Sequence, residues 1–182
     1  MNLVFVVNKI FAISTVIGQL IFIFLLAILI FGRKNVKLKP LTQFVFNQAL
    51  VFSFIVAVAA TFGSLFYSEI AGYEPCKLCW LQRIFMYPLS LIFLIALIKK
   101  DNRIFDYGLV LSIFGAAIAA FHYFSQITGI SFLPCTAVGY SVSCSQRFVM
   151  EVGYITIPLM SFTAFALIII FSLYRKNFSQ SK

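Results

Sequence analysis

Four cysteines are the residues of this chain whose type and spacing could do redox chemistry. Cys76 and Cys79 form a Cys-x-x-Cys pair at the start of an apolar stretch, and Cys135 and Cys144 lie in a later, more polar segment. A thiolate can attack a disulfide and replace one of its sulfurs, so paired cysteines can pass two electrons from pair to pair. Two pairs in one chain therefore indicate electron transfer, provided that the fold brings them together.

The rest of the chain has the composition of an integral membrane protein. Hydrophobic residues make up 62% of its 182 residues and charged residues only 10%, with a mean hydropathy of +1.03, which exceeds what a soluble domain can bury. Five apolar stretches each approach the roughly 20 residues that cross a bilayer, where lipid leaves the backbone only helical hydrogen bonds. They cover residues 10–31, 44–67, 80–98, 104–124 and 154–174. We therefore expect an all-α protein with five spans.

The distribution of the 14 basic residues predicts an external N-terminus and a cytoplasmic C-terminus, because Lys and Arg beside spans stay in the cytoplasm. Ten of them fall on the side assigned to the cytoplasm: Arg33, Lys34, Lys37, Lys39, Lys99, Lys100, Arg103, Arg175, Lys176 and Lys182. Their split among short loops explains the net charge of +9 as an orientation signal, so we predict no nucleic-acid partner.

The stretch 10–31 lacks a basic n-region and a small-residue cleavage site, which favours a retained helix over a signal peptide.

The Cys-x-x-Cys pair is predicted to lie at the N-terminus of the third span. Pro75 suits a first helical turn, and a helix N-terminus favours a thiolate. Cys76, Cys79 and Arg83 follow at i, i+3 and i+7, which predicts one stripe of two sulfurs and a permanent cation. Such a cation can stabilise a thiolate or a reduced, anionic cofactor.

Other interpretations of these residues remain open. Two cysteine pairs could form a Cys₄ zinc site, or two disulfides that only stabilise the external face, where thiols oxidise. A c-type haem requires His directly after the second cysteine, and Trp80 stands there instead. Arg83 could be an interfacial residue that extends toward water. His122 could approach a cofactor or be a hydrogen-bonded interfacial histidine, and Gln82 could bind a carbonyl or another helix.

The segment PCKLCWLQR at 75–83, with Tyr87 and Pro88 after it, resembles the active-site signature of the DsbB family of disulfide-formation proteins. The similarity extends to Cys135 and Cys144 and to GYITIPLMS at 153–161, and covers about residues 44–174. In the vitamin K epoxide reductase family the loop pair precedes the Cys-x-x-Cys, whereas the order here is reversed.

The resemblance implies a DsbB-like four-helix bundle, of the short, BdbC-like kind, with one additional N-terminal transmembrane helix. We expect residues 1–39 to hold that helix and a basic cytoplasmic loop, and residues 40–182 to form the redox domain with an outer loop at 125–153. The implied activity is a protein-dithiol:quinone oxidoreductase of the bacterial inner membrane. It would reoxidise a periplasmic, DsbA-like thioredoxin-fold protein and reduce ubiquinone or menaquinone.

The resemblance also implies a role for each residue. Cys135 would form the mixed disulfide with the partner, and Cys144 would react toward Cys76. The quinone-binding residues would be Cys79, Arg83, Gln82 and His122, with Cys79 nearest to the ring and no metal. Only eight residues separate Cys135 from Cys144, fewer than in the best-known members. The competing interpretation is a membrane scaffold or transporter subunit with two structural disulfides.

Overall fold

The structure, a computed structural model, describes residues 3–31, 38–101, 103–129 and 143–179. Within these ranges the chain forms five long helices, and its only β-type pairing is one isolated bridge between Glu151 and Ile155. The helices are α1 (Leu3–Phe31), α2 (Lys39–Leu65), α3 (Lys77–Lys99), α4 (Ile104–Thr128) and α5 (Ile157–Ser179). A π-helical turn, Phe66–Ile70, extends α2. All five are long and apolar enough to cross a membrane, which confirms the predicted all-α membrane fold.

Several helices begin or end at residues other than those predicted, because local backbone geometry and not hydropathy determines where a helix stops. The first helix begins at Leu3, well before residue 10, because it includes polar residues that a hydropathy window excludes. The last helix begins at Ile157 and not at 154, since Tyr154 follows Gly153, whose φ of 78° is left-handed. The outer loop likewise begins later than residue 125, because α4 continues to its left-handed cap at Gly129.

Helix α5 lies at the centre of the molecule and packs against α1, α2 and α4. Its Phe165 is fully buried and faces Gly115 of α4, where an added Cβ would lie 2.3 Å from the ring. The two helices can approach this closely only because Gly115 has no side chain. Gly18 makes a similar contact between α1 and α5, so the first helix is docked on the bundle.

The helices alternate in direction, and polar contacts mark the two ends of the bundle. At the end that holds Cys76, the side chains of Lys9 and Glu151 form an ion pair. At the opposite end, Lys176 pairs with Asp106 at 3.2 Å. The described helix ends thus fall at the two ends of the bundle in the order that the predicted topology requires. The assignment of these ends to membrane sides, and the division of the chain at residue 39, stay predictions.

Candidate functional site

The Cys-x-x-Cys pair lies where α3 begins, as predicted. Cys76 is the N-cap, with an extended backbone (φ −71°, ψ 173°), and Cys79 lies in the first turn. Pro75 precedes the cap and therefore lies just outside the helix. Both cysteines are free thiols, with their Sγ atoms 3.3 Å apart. At this separation a thiol hydrogen-bonds its neighbour, and the two sulfurs are near enough to be joined by oxidation after a small movement.

The two thiols touch each other but have different surroundings, so the single stripe expected from the spacing holds only for Cys79 and Arg83. Cys79 and Arg83 line a cavity, whereas Cys76 is buried in a cluster with Leu78 and Cys144. The reason is the extended backbone of Cys76. The helix begins at Lys77, so the rule that residues i and i+3 lie on one helix face does not apply to Cys76. Its side chain therefore does not lie on the face of α3 that carries Cys79.

His122 joins the pair to the outer segment. Its side chain is fully buried on α4, and its Nδ1 lies 2.9 Å from Nε2 of Gln82. Its Nε2 lies 3.1 Å from the carbonyl oxygen of Cys144 and 3.6 Å from Sγ of Cys76. With the Gln82 amide donating to Nδ1, the imidazole proton is on Nε2 and points toward both cysteines. His122 is therefore hydrogen-bonded, and also in contact with the redox residues.

Cys144 is fully buried and takes part in a disulfide. Further hydrogen bonds hold the segment around it to α4. Gln126 donates from Nε2 to the carbonyl of Gln146 at 2.9 Å, and Arg147 donates from Nε to the carbonyl of Gln126 at 2.8 Å. These bonds satisfy polar groups at the end of α4 and fix Cys144 beside Cys76. Cys135 lies outside the described residues, so its pairing and its role stay predictions.

Arg83 is buried, 8% exposed, and is held inside the bundle by one residue of α2. Its Nε donates to the hydroxyl of Ser64 at 2.9 Å, and its Nη2 donates to the Ser64 carbonyl at 3.0 Å. The guanidinium also lies 5.0 Å from the centre of the Trp80 ring. These contacts direct Arg83 inward, and it does not extend to the membrane surface.

No carboxylate forms an ion pair with this cation within the part of the chain that the structure describes, although Glu74 lines the same cavity. The two ion pairs there join Lys9 to Glu151 and Lys176 to Asp106. A buried charge without a counter-ion is costly, and an anion that arrives beside it offsets that cost. Arg83 is therefore arranged to receive negative charge.

A cavity of about 240 Å³ opens beside Arg83, between α1, α2, α3 and α5. Its walls are mainly apolar, and polar groups converge at the end near the thiols. All four residues predicted to bind a cofactor line this cavity: Cys79, Gln82, Arg83 and His122. An apolar cavity with a few convergent donors fits a flat organic ring that carries polar oxygens.

The same residues also offer a set of metal ligands. Sγ of Cys76, Sγ of Cys79 and a ring nitrogen of His122 lie within 4.8 Å of one another. Thiolate and imidazole ligands are typical of zinc sites, which use four protein ligands where the metal is structural. This set is not the Cys₄ site considered from the sequence, because Cys144 takes part in a disulfide and cannot supply a thiolate. A metal bound by both thiols of α3 would compete with their oxidation.

The hydrogen bond with Cys79, and next the contact with His122, lower the pKa of the Cys76 thiol against the opposing effect of burial. We therefore expect Cys76 to remain a thiolate at pH values where an ordinary cysteine is protonated. In a pH titration, thiolate absorbance should show a deprotonation step at a pH below that of an ordinary cysteine. Cys76→Ser should remove this step, and Cys79→Ala should move it to higher pH by more than His122→Ala does. A midpoint at the ordinary cysteine value would contradict this assignment.

Sequence reasoning missed Ser64 and the contribution of α1 to the cavity. Ser64 is a polar residue inside an apolar helix, which is the one signal that could have identified it. Phe11, Ser14 and Thr15 of α1 line the cavity. Nothing in their spacing distinguishes them from residues that only pack against a neighbouring helix.

Comparison with known proteins places these residues in a family context. The profile of the family described as disulfide bond formation protein DsbB matches residues 46–175. Disulfide bond formation protein C of Bacillus subtilis is 46% identical over 121 residues, which are 65% of this chain and 86% of that protein. A probable disulfide formation protein of Oceanobacillus iheyensis is 41% identical over 136 residues, covering 75% and 93% of the two chains. No solved structure matches the chain.

Proposed function

Because the chain belongs to the DsbB family of membrane proteins that form disulfide bonds, we propose that it is a protein-dithiol:quinone oxidoreductase. It would reoxidise a DsbA-like, thioredoxin-fold partner and pass the electrons to a membrane quinone. The observation that carries the proposal is that the two touching thiols of α3 have different surroundings. Cys79 lines the apolar cavity, while Cys76 packs against Cys144 of the outer segment.

The proposed thiol steps begin with both pairs oxidised. A thiolate of the reduced partner attacks Cys135 and releases Cys144, and the partner's second thiol then displaces Cys135 and leaves as the partner disulfide. Cys144 next attacks Cys76 and releases Cys79, after which Cys135 attacks Cys144 and releases Cys76. The outer disulfide is restored, and two electrons and two protons rest on Cys76 and Cys79.

A quinone bound in the cavity would supply an acceptor for two electrons and two protons. The residues of the chain position it and stabilise charge. Arg83 holds negative charge that develops next to Cys79, and Gln82 offers a hydrogen bond at the same end. His122, whose two nitrogens already contact Gln82 and the cysteines, orients these groups around the ring. Cys76 lies 3.3 Å from Cys79 and can close the disulfide as the electrons leave.

A quinone also meets the energetic requirement of the reaction. A DsbA-like protein has a reduction potential of about −120 mV, whereas an ordinary structural disulfide lies near −300 mV. Transfer of two electrons from the DsbA-like protein to such a disulfide would be unfavourable by about 8 kcal/mol, since every 30 mV corresponds to roughly 1.4 kcal/mol. The relay therefore needs a high-potential acceptor, and a lipid-soluble quinone such as ubiquinone or menaquinone is available from the bilayer.

The proposed location is the bacterial inner membrane, with the cysteines on the periplasmic side. The basic residues near the opposite end of the bundle, among them Lys39, Lys99 and Arg175, support this orientation. On the external side, disulfides persist and a soluble dithiol partner can reach the outer segment.

The experiment that tests the proposal follows quinone absorbance with time. A reduced DsbA-like protein is added to the purified chain in detergent with soluble analogues of ubiquinone or menaquinone. We expect loss of the quinone band at a rate that depends on this chain. No loss with any analogue, in a sample shown to be folded, would favour the scaffold interpretation with structural disulfides.

A further inference from the structure

Helix α1 lies outside the region that matches the family, yet it forms part of the cavity wall through Phe11, Ser14 and Thr15. We propose that α1 contributes residues to the quinone site and that Phe11 determines the size of the quinone ring that the cavity accepts. This inference rests on the proposed function, since it concerns the same cavity.

The position of the Phe11 ring carries the argument. The ring lies against Gly63 of α2, where an added Cβ would lie 3.0 Å from Cζ of Phe11. Its other neighbour is Tyr67, with the ring centres 5.8 Å apart. At this level of the bundle α1 and α2 therefore meet across the phenyl ring, and its removal would leave space between them.

Phe11 also separates the cavity from a second depression on the molecule. This groove lies between α1 and α2 and is lined by Val7, Phe62 and Leu65, with Phe11 at its inner side. Phe62 is 67% exposed, so this face of the bundle lies toward lipid. Since Phe11 lines both spaces, its ring is the partition between the redox cavity and a lipid-facing groove.

Polar contacts hold α1 in the position that this role requires. Gln19 accepts a hydrogen bond from the hydroxyl of Tyr154 at 2.9 Å and approaches Thr163 of α5 at 3.4 Å. Near its outer end, Lys9 pairs with Glu151. Two contacts to the segment before α5 and one to α5 itself fix the rotation of α1, so that Phe11 faces α2.

The test compares Phe11→Ala with Phe24→Ala, a matched control on α1 that is 55% exposed and does not line the cavity. Affinities for a benzoquinone and a naphthoquinone analogue are obtained from the rise in unfolding temperature with ligand concentration. KM values from quinone reduction are measured beside them. We expect Phe11→Ala to shift the affinity ratio toward the naphthoquinone by about tenfold, the scale at which pocket shape discriminates ligands. Phe24→Ala should leave the ratio unchanged.

If Phe11→Ala does not fold, Phe11→Leu retains bulk without the ring and should shift the ratio in the same direction by less. An unchanged ratio in a folded Phe11 variant, with normal quinone reduction by the unsubstituted protein, would overturn the inference and leave the proposed function intact. Absence of both saturable binding and reduction in the unsubstituted protein would overturn both.

Discussion

Cys79→Ser is expected to abolish quinone reduction. Among the cysteines that the structure describes, Cys79 alone lines the cavity. Serine in its place cannot form a disulfide. With Cys79 absent, the Cys76 thiolate can attack Cys144 in the outer disulfide, but the released Cys135 thiol reverses this exchange, and Cys76 has no partner in α3 with which to form a disulfide. Electrons therefore cannot leave the outer pair toward the cavity. Quinone absorbance should stay constant when reduced partner is added.

The stability of the variant separates this interpretation from structural disulfides. Cys79→Ala serves as the matched control, because it removes the sulfur without introducing a hydroxyl. Both variants should unfold at temperatures near that of the unsubstituted protein with reduced α3 thiols, since the pair is not cross-linked in that state. Quinone reduction by Cys79→Ser at the unsubstituted rate would refute the relay. A large loss of stability without any redox activity to lose would support the scaffold interpretation.

Arg83→Gln should lower kcat for quinone reduction by about 10²–10³-fold, the usual cost of removing one preorganised donor to a developing charge. The buried guanidinium lies beside Cys79 in the cavity wall and has no carboxylate partner among the described residues. Exchange between the reduced partner and the outer disulfide, measured without quinone, should be unchanged. Arg83→Lys should be intermediate, because it keeps the charge but cannot donate two directed bonds to Ser64.

The control for Arg83→Gln is Arg103→Gln, which removes the same charge from an exposed position at the opposite end of the bundle. Its kcat should equal that of the unsubstituted protein. Equal activity of the two variants would show that the charge of Arg83 does not act on the quinone. Loss of the partner exchange in Arg83→Gln would instead indicate general damage to the fold.

Sequence reasoning predicted the five helices and the place of the Cys-x-x-Cys pair because both depend on local properties. Hydropathy over about 20 residues determines whether a helix can span a bilayer. It could not predict that Cys76 and Cys79 have different surroundings, because a helical repeat assumes helical backbone at every position. The extended ψ of 173° at Cys76 breaks that assumption at the cap.

The three-dimensional surroundings of the thiols depend on contacts between distant parts of the chain. His122 lies 46 positions from Cys76, and its partners could not be deduced from spacing. The docking of α1 depends on Lys9 and Glu151, which are 142 positions apart. Such pairs leave no periodic signal in a single sequence. The sequence therefore identified Arg83 and His122 as candidates, but not Ser64 or Phe11.

The anchoring of Arg83 by Ser64 also bears on how the protein enters the membrane during synthesis. Insertion of an arginine near the centre of a helix costs about 2.5–3.5 kcal/mol, and less close to an end. Ser64 precedes Arg83 by 19 positions and belongs to the preceding helix. Its hydroxyl and carbonyl therefore leave the ribosome before Arg83 does. The order of the helices along the chain thus provides the hydrogen-bond acceptors before the charged donor arrives.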